Sequence, residues 1–225
     1  MERSLLSHHV HDALDQVRNL QHTILERIRF HGFSGPTRAI SGTLALVVAV
    51  GMSSPLYPQT RAAHLIGWGG VLAMALVLNG GALVYWYLND RSVRLNPRRL
   101  RPVLDVLPPL FAGATLTAGL IIHNHLDLLF GIWMLMFGLT NLASRHVLPR
   151  AINLVGLFYI CAGAAWVVSP AASFMNPWAM GIVFFAGEWA GGIILYLDDK
   201  RMERAAPRYF TSVEENENNH ENENR

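Results

Sequence analysis

One carboxylate, Glu188, lies inside a long apolar stretch of the sequence, "GIVFFAGEWAGGIILYLDDKR" (181–201). An acid within a membrane helix is costly unless it faces the interior of a helix bundle. Gly187 and Gly191 form a small-xxx-small pair beside it, which lets a neighbouring helix approach closely. The pattern therefore predicts that Glu188 points inward. Its candidate hydrogen-bonding partners are Asn79, Thr115 and Thr117, and the indole N–H groups of Trp68, Trp133 and Trp166.

The predicted spans contain no arginine or lysine that could pair with Glu188. Burial of an acid without a counter-charge favours its neutral form, so we expect Glu188 to be protonated and to donate a hydrogen bond. Two interpretations follow. In the first, Glu188 is a proton- or cation-linked site of a transporter or channel. In the second, it is a neutral acid that joins two helices, and the sequence is equally compatible with both.

A second polar group occurs in the short segment "HNHLD", which contains His123, His125 and Asp127. Together with His64 these side chains could form an external site for a metal or a proton, because imidazole and carboxylate groups suit zinc and similar metals. The alternative is a polar turn at the level of the lipid headgroups. A lipid-modifying membrane enzyme would need the same side chains to converge.

The composition favours a membrane protein without a cofactor. The chain is 52% hydrophobic and only 15% charged, against roughly a quarter charged residues in soluble domains. The sequence has no nucleotide-binding loop, no zinc-protease motif, no serine-nucleophile motif and no mid-span histidine pair for haem. We therefore predict no catalytic residues, and a protein that is more plausibly not an enzyme.

Six apolar runs are long enough to cross a bilayer, which takes about 20 residues per helix. None alternates with the period of two that a membrane strand shows. The sequence predicts an all-α polytopic membrane protein with six transmembrane helices in three hairpins. The runs lie near 39–54, 64–88, 103–122, 127–143, 151–169 and 177–197.

Basic residues are concentrated before the first run, between the second and third, between the fourth and fifth, and after the sixth. By the positive-inside rule, we predict that both termini are cytoplasmic. The net charge of +2 gives no reason to expect a nucleic-acid partner. A cluster between the second and third runs is predicted to contact anionic lipids of the inner leaflet. Its members are Arg94, Arg98, Arg99 and Arg101.

Three regions follow from these patterns. Residues 1–36 are predicted to form a cytoplasmic amphipathic helix and a linker, because apolar residues recur at steps of three and four. That helix could lie on the membrane surface, join a second copy of the chain, or bind another protein. Residues 37–200 form the predicted six-helix bundle, and residues 201–225 are expected to be a disordered polar tail because they are rich in Glu and Asn.

The segments "TILERIRFHGFSGPTRAISGTLALVVA" (23–49) and "VLPPLFAGATLTAGL" (106–120) resemble a group of uncharacterised bacterial inner-membrane proteins with six spans. Glu26 and Arg27 match the Glu-Arg pair that precedes the first span in that group. The Gly-rich hairpins with Ser-Pro turns also resemble the bacterial acid-resistance membrane proteins. The resemblance implies a bacterial inner-membrane location and a six-span fold, and it implies no reaction.

We accordingly expect a non-enzymatic integral membrane protein that serves as a subunit or regulator of a membrane complex. Its predicted partners are membrane lipids, further copies of the chain and other subunits of that complex. The alternatives are a small transporter or channel that uses Glu188, and a lipid-modifying enzyme that uses the external histidines.

Overall fold

A computed structural model describes residues 35–89, 101–144 and 148–223. The predicted N-terminal amphipathic helix lies outside the described residues. So do three of the four arginines predicted to contact lipid, Arg94, Arg98 and Arg99, whereas the fourth, Arg101, is described and lies in a helix.

The described residues form six α-helices, one for each of the six apolar runs of the sequence. The runs are mainly apolar, and turn and capping residues lie in the connections between them. Thr60, for example, accepts a hydrogen bond at its Oγ1 from the N–H of Ala63 and so caps the second helix. The helices are α1 (Gly35–Met52), α2 (Arg61–Asn89), α3 (Arg101–Ile122), α4 (Leu129–Ala143), α5 (Ile152–Val168) and α6 (Pro177–Glu223), with a short 3₁₀ turn at Leu126–Leu128.

Four of these helices contain a stretch that is long and apolar enough to span a membrane. The stretches are Gly35–Met52, Arg61–Ala82, Leu126–Ala143 and Pro177–Arg201. The apolar parts of α3 and α5, Val106–Ile122 and Ile152–Val168, are shorter. The chain is therefore helical and membrane-like in its described part, as the composition predicted.

Four helices form the packed interior. α1 packs most extensively against α6, and α4 against α5, while α5 also contacts α6. The buried residues of α1 recur at alternating steps of three and four residues, which is the heptad spacing of antiparallel helices that cross at a small angle. They include Gly35, Arg38, Gly42, Ala45, Ala49 and Met52. Arg38 is thus a charged residue within a stripe of small and apolar ones.

Glycines let the helices of each inner pair touch along their backbones. A Cβ added to Gly138 would lie 2.7 Å from the carbonyl oxygen of Gly156, and one added to Gly156 would lie 3.1 Å from that of Gly138. One heptad away, Gly131 and Gly163 form the same reciprocal contact. Such small-residue contacts are the usual means of close helix packing in a membrane, where no hydrophobic force brings helices together.

The helices α2 and α3 lie at the outside of this group. α2 contacts mainly α1, and Asn79 Nδ2 on α2 donates a hydrogen bond of 3.3 Å to Ser41 Oγ on α1. α3 contacts mainly α4, and Trp133 Nε1 on α4 donates a hydrogen bond of 2.8 Å to Thr117 Oγ1 on α3. The outer faces of both helices present large apolar side chains. Examples are Ile66 and Phe111, each 76% exposed. A surface of this kind is suited to contact with lipid.

In the structure α6 continues to Glu223, through the segment that the sequence predicted to be a disordered polar tail. Extending an existing helix costs much less than starting one. Residues 202–206, "MERAA", are good helix formers, whereas Pro207 after them removes one backbone hydrogen bond from the helix.

Candidate functional site

Arg38 and Glu188 form a two-point ion pair between α1 and α6. Arg38 Nη2 donates to Glu188 Oε1 at 2.7 Å, and Arg38 Nε donates to Glu188 Oε2 at 3.1 Å. Both residues are 5% exposed. A guanidinium is always charged and matches the two oxygens of a carboxylate, so this geometry is among the stronger ion-pair arrangements in proteins.

Two further side chains complete the hydrogen bonding. Arg38 Nη1 donates to Asn141 Oδ1 at 3.0 Å, and Asn141 Nδ2 in turn donates to the carbonyl of Phe137 at 2.9 Å. The Tyr159 hydroxyl lies 3.2 Å from Glu188 Oε1 and donates to it. Asn141 is on α4 and Tyr159 on α5, so one hydrogen-bonded group joins all four inner helices. We call Arg38, Glu188, Asn141 and Tyr159 the polar network.

Glycines provide the space that the polar network occupies. A Cβ at Gly191 would lie 2.8 Å from Arg38 Cζ, and one at Gly42 would lie 2.7 Å from Glu188 Cβ. A Cβ at Gly187 would overlap the ring of Tyr159. The pair Gly187 and Gly191 was predicted to let a helix backbone approach, and it does face neighbouring helices. However, what it admits is two large polar side chains.

The structure corrects the prediction that Glu188 has no basic partner. The sequence pattern placed the start of the first span at Ala39, and thus assigned Arg38 to the preceding connection. The structure describes α1 from Gly35 onward, so the helix includes the residues just before Ala39. Arg38 is therefore a residue of the helix, on its buried face. With Arg38 and Tyr159 as donors, Glu188 acts as an acceptor instead of the predicted donor.

The predicted partners of Glu188 lie elsewhere. Asn79 donates to Ser41 Oγ and to the carbonyl of Ala75, and Thr115 is exposed and donates to the carbonyl of Phe111 in its own helix. Neither residue contacts Glu188. The structure therefore does not bring Asn79 and Thr115 together with Glu188, as the predicted intramembrane site required.

Asp127 belongs to a second set of contacts at the other end of the helices. Its Oδ1 accepts from the backbone N–H of Phe174 at 2.9 Å, and its Oδ2 lies 3.8 Å from Arg61 Nη2. Arg61 also donates to Asn124 Oδ1 at 3.2 Å, and Trp166 Nε1 donates to the Asp127 carbonyl at 3.2 Å. We call this set, centred on Asp127, the Asp127 staple, because it joins the α3–α4 connection, the α5–α6 connection and the first residue of α2.

The histidines do not converge on Asp127. His123 and His125 are exposed, whereas His64 is fully buried with its Nδ1 3.1 Å from the carbonyl of Thr60. Within residues 35–89, 101–144 and 148–223, no three His, Cys, Asp or Glu side chains are close enough to hold a metal ion. The arrangement that the metal and lipid-enzyme hypotheses required is thus not formed by these side chains.

Sequence reasoning missed three members of the polar network: Arg38, Asn141 and Tyr159. One signal could have found Arg38. It is spaced at heptad steps with Gly35, Gly42 and Ala45, so a helix that begins at the Gly-Pro pair must bury it. Asn141 stands in the same relation to Gly131, Met134 and Gly138 on α4. Tyr159 carries no comparable signal, because a tyrosine in an apolar helix is ordinary.

Comparison of the chain with protein-family models, curated proteins and solved structures gave no match. The functional conclusion therefore depends on the geometry of the polar network and on the chemistry of the helix surfaces.

Proposed function

We propose that this chain is a non-enzymatic integral membrane protein that acts as a subunit or regulator of a membrane complex. The observation that carries the proposal is that the polar network is closed. Both oxygens of Glu188 accept hydrogen bonds from protein donors, and Arg38 and Glu188 compensate each other's charge. A site that moves protons or cations needs a group that can exchange its partners with water or substrate.

The proposed topology has six spans in three hairpins, with both termini in the cytoplasm of a bacterium. It is supported by the charge pattern, because the arginine-rich connections after α2 and α4 fall on the side where α1 begins. The apolar outer faces of α2 and α3 support contact with lipid or with other membrane subunits. The resemblance to bacterial six-span inner-membrane proteins supports the location.

Single-cysteine labelling tests the topology. The native Cys161 is replaced by alanine, and one cysteine is introduced at residue 2, 59, 92, 124, 172 or 220 in turn. An impermeant maleimide applied to intact spheroplasts is expected to label positions 59, 124 and 172 and to spare positions 2, 92 and 220. Labelling of only one of the two terminal positions would overturn the six-span arrangement.

A flux assay separates the proposed role from transport. Purified protein in liposomes is expected to give no proton flux under a pH gradient, for the native chain and for Glu188→Gln alike. Flux in the native chain that Glu188→Gln abolishes would overturn the non-transport role.

The subunit role is tested by extraction into polymer nanodiscs without detergent, where particles larger than the 25.0 kDa chain are expected. Particles with a single copy and no other protein would contradict it.

A further inference from the structure

His64 and Trp68 lie one turn apart on the same face of α2. They are the only buried side chains among those that the structure describes in this helix, with 0% and 2% exposure. The rest of α2 is largely exposed, so these two rings are its anchor in the bundle. Both rings carry polar nitrogen atoms, and a buried nitrogen without a hydrogen-bond partner costs free energy.

The contact of His64 with its own helix fixes which ring nitrogen carries hydrogen. His64 Nδ1 lies 3.1 Å from the carbonyl oxygen of Thr60. A carbonyl oxygen can only accept, so Nδ1 must be the protonated nitrogen. In a neutral imidazole the other nitrogen, Nε2, then has a free lone pair and is an acceptor.

Trp68 presents the complementary group. Its indole Nε1–H can only donate. Neither His64 Nε2 nor Trp68 Nε1 has a hydrogen-bond partner among the described residues. The two nitrogens are thus not hydrogen-bonded to each other. Buried polar groups in proteins are nearly always hydrogen-bonded, either to protein or to an ordered water.

We propose that His64 Nε2 and Trp68 Nε1 hold a single internal water molecule. The water oxygen accepts from the Trp68 indole N–H, and one of its O–H groups donates to His64 Nε2. Water is the smallest molecule that offers one donor and one acceptor to such a pair, and the complete burial of His64 leaves no route for a larger ligand. Globular proteins contain about one buried water per 27 residues, so one such site in a chain of this length is ordinary.

The neighbouring aromatic rings hold both nitrogens in place. The Tyr57 ring meets His64 edge-on, with centroids 5.4 Å apart, and Phe130 meets Trp68 edge-on at 5.6 Å. The Tyr57 hydroxyl donates its hydrogen to the carbonyl of Ala63 at 2.7 Å, so that hydrogen is not offered to His64 Nε2. The two unpartnered nitrogens are therefore the groups to which an internal water would bond.

The test uses the full-length protein in lipid nanodiscs, labelled with ¹⁵N at tryptophan and histidine. Magnetisation transfer from water is recorded for each indole N–H. A cross-peak to a long-lived water is expected for Trp68. Trp166 is the matched control, because its N–H donates to the Asp127 carbonyl at 3.2 Å and needs no water. His64→Phe keeps a flat ring but removes the acceptor, so the Trp68 cross-peak is expected to disappear while the Trp166 signal stays unchanged.

Two results would overturn the proposal. One is a scalar coupling between Trp68 ¹⁵Nε1 and His64 ¹⁵Nε2, which would show that the rings bond directly. The other is a Trp68 N–H with no water cross-peak in the native protein. If His64→Phe does not fold, the measurement on the native chain decides the question by itself.

Discussion

Arg38 and Glu188 are 150 residues apart in the sequence, yet they form a two-point ion pair whose Nη2–Oε1 distance is 2.7 Å. The pair joins the first helix of the bundle to the last. Removing two charges from water is costly, and their attraction repays that cost only when the geometry is good and the remaining polar atoms are bonded. Asn141 and Tyr159 meet this second condition here.

Breaking the ion pair from one side should destabilise the protein strongly. Arg38→Met and Glu188→Met each leave one buried charge without its partner, which typically costs about 3–5 kcal/mol. The double variant Arg38→Met/Glu188→Met removes both charges and should recover most of that loss. The free energy of unfolding, measured by SDS titration with tryptophan fluorescence, checks this. A double variant that loses the sum of the two single losses would show that the residues do not interact.

Tyr159→Phe should have a smaller effect, because it removes one hydrogen bond to a carboxylate that keeps two others. The expected loss is about 1.5–3 kcal/mol in the free energy of unfolding, as for a hydrogen bond to a charged group. Tyr196→Phe is the matched control, since Tyr196 is 48% exposed and lies outside the polar network, and its stability should stay unchanged. Equal effects of the two substitutions would argue against the Tyr159–Glu188 contact.

Gly187→Ala should destabilise the bundle, because the added methyl group overlaps the Tyr159 ring. Overpacking of this kind costs about 1–3 kcal/mol. Gly80→Ala provides the contrast, since no atom lies within 4 Å of a Cβ at that position and alanine favours a helix by up to about 1 kcal/mol. Thermal unfolding in nanodiscs should therefore show a lower melting temperature for the first variant and an equal or higher one for the second. The reverse order would contradict the packing described for α5 and α6.

Asp127→Ala should weaken the Asp127 staple, because the backbone N–H of Phe174 loses its hydrogen-bond acceptor, Asp127 Oδ1. An unsatisfied backbone group costs about 1–3 kcal/mol. His123→Ala and His125→Ala should leave stability unchanged, since both side chains are exposed. The three variants are compared by thermal unfolding with and without added zinc. Zinc-dependent stabilisation that is lost in the histidine variants would support the metal site over the staple.

The sequence by itself predicted a helix at each of the six places where the described residues form one, although α6 extends past its predicted run. Apolar runs are local properties of the chain, and the runs predicted at 127–143 and 151–169 differ by at most two residues at either end from the helices Leu129–Ala143 and Ile152–Val168. The inward orientation of Glu188 was also predictable, because an acid in an apolar helix has few alternatives and the adjacent glycines mark a close contact. It is 5% exposed in the structure.

Only the tertiary structure decided what Glu188 meets. Its partner depends on which of several apolar helices packs against α6, and apolar composition does not distinguish them. Glycines on α1 and α6 determine that these two helices pack together, because they leave room for the neighbouring backbone at one point and for the Arg38 guanidinium at another. Arg38 is a residue of α1 and not of the preceding connection, and it faces the bundle because a residue's position on a helix fixes the direction in which its side chain points.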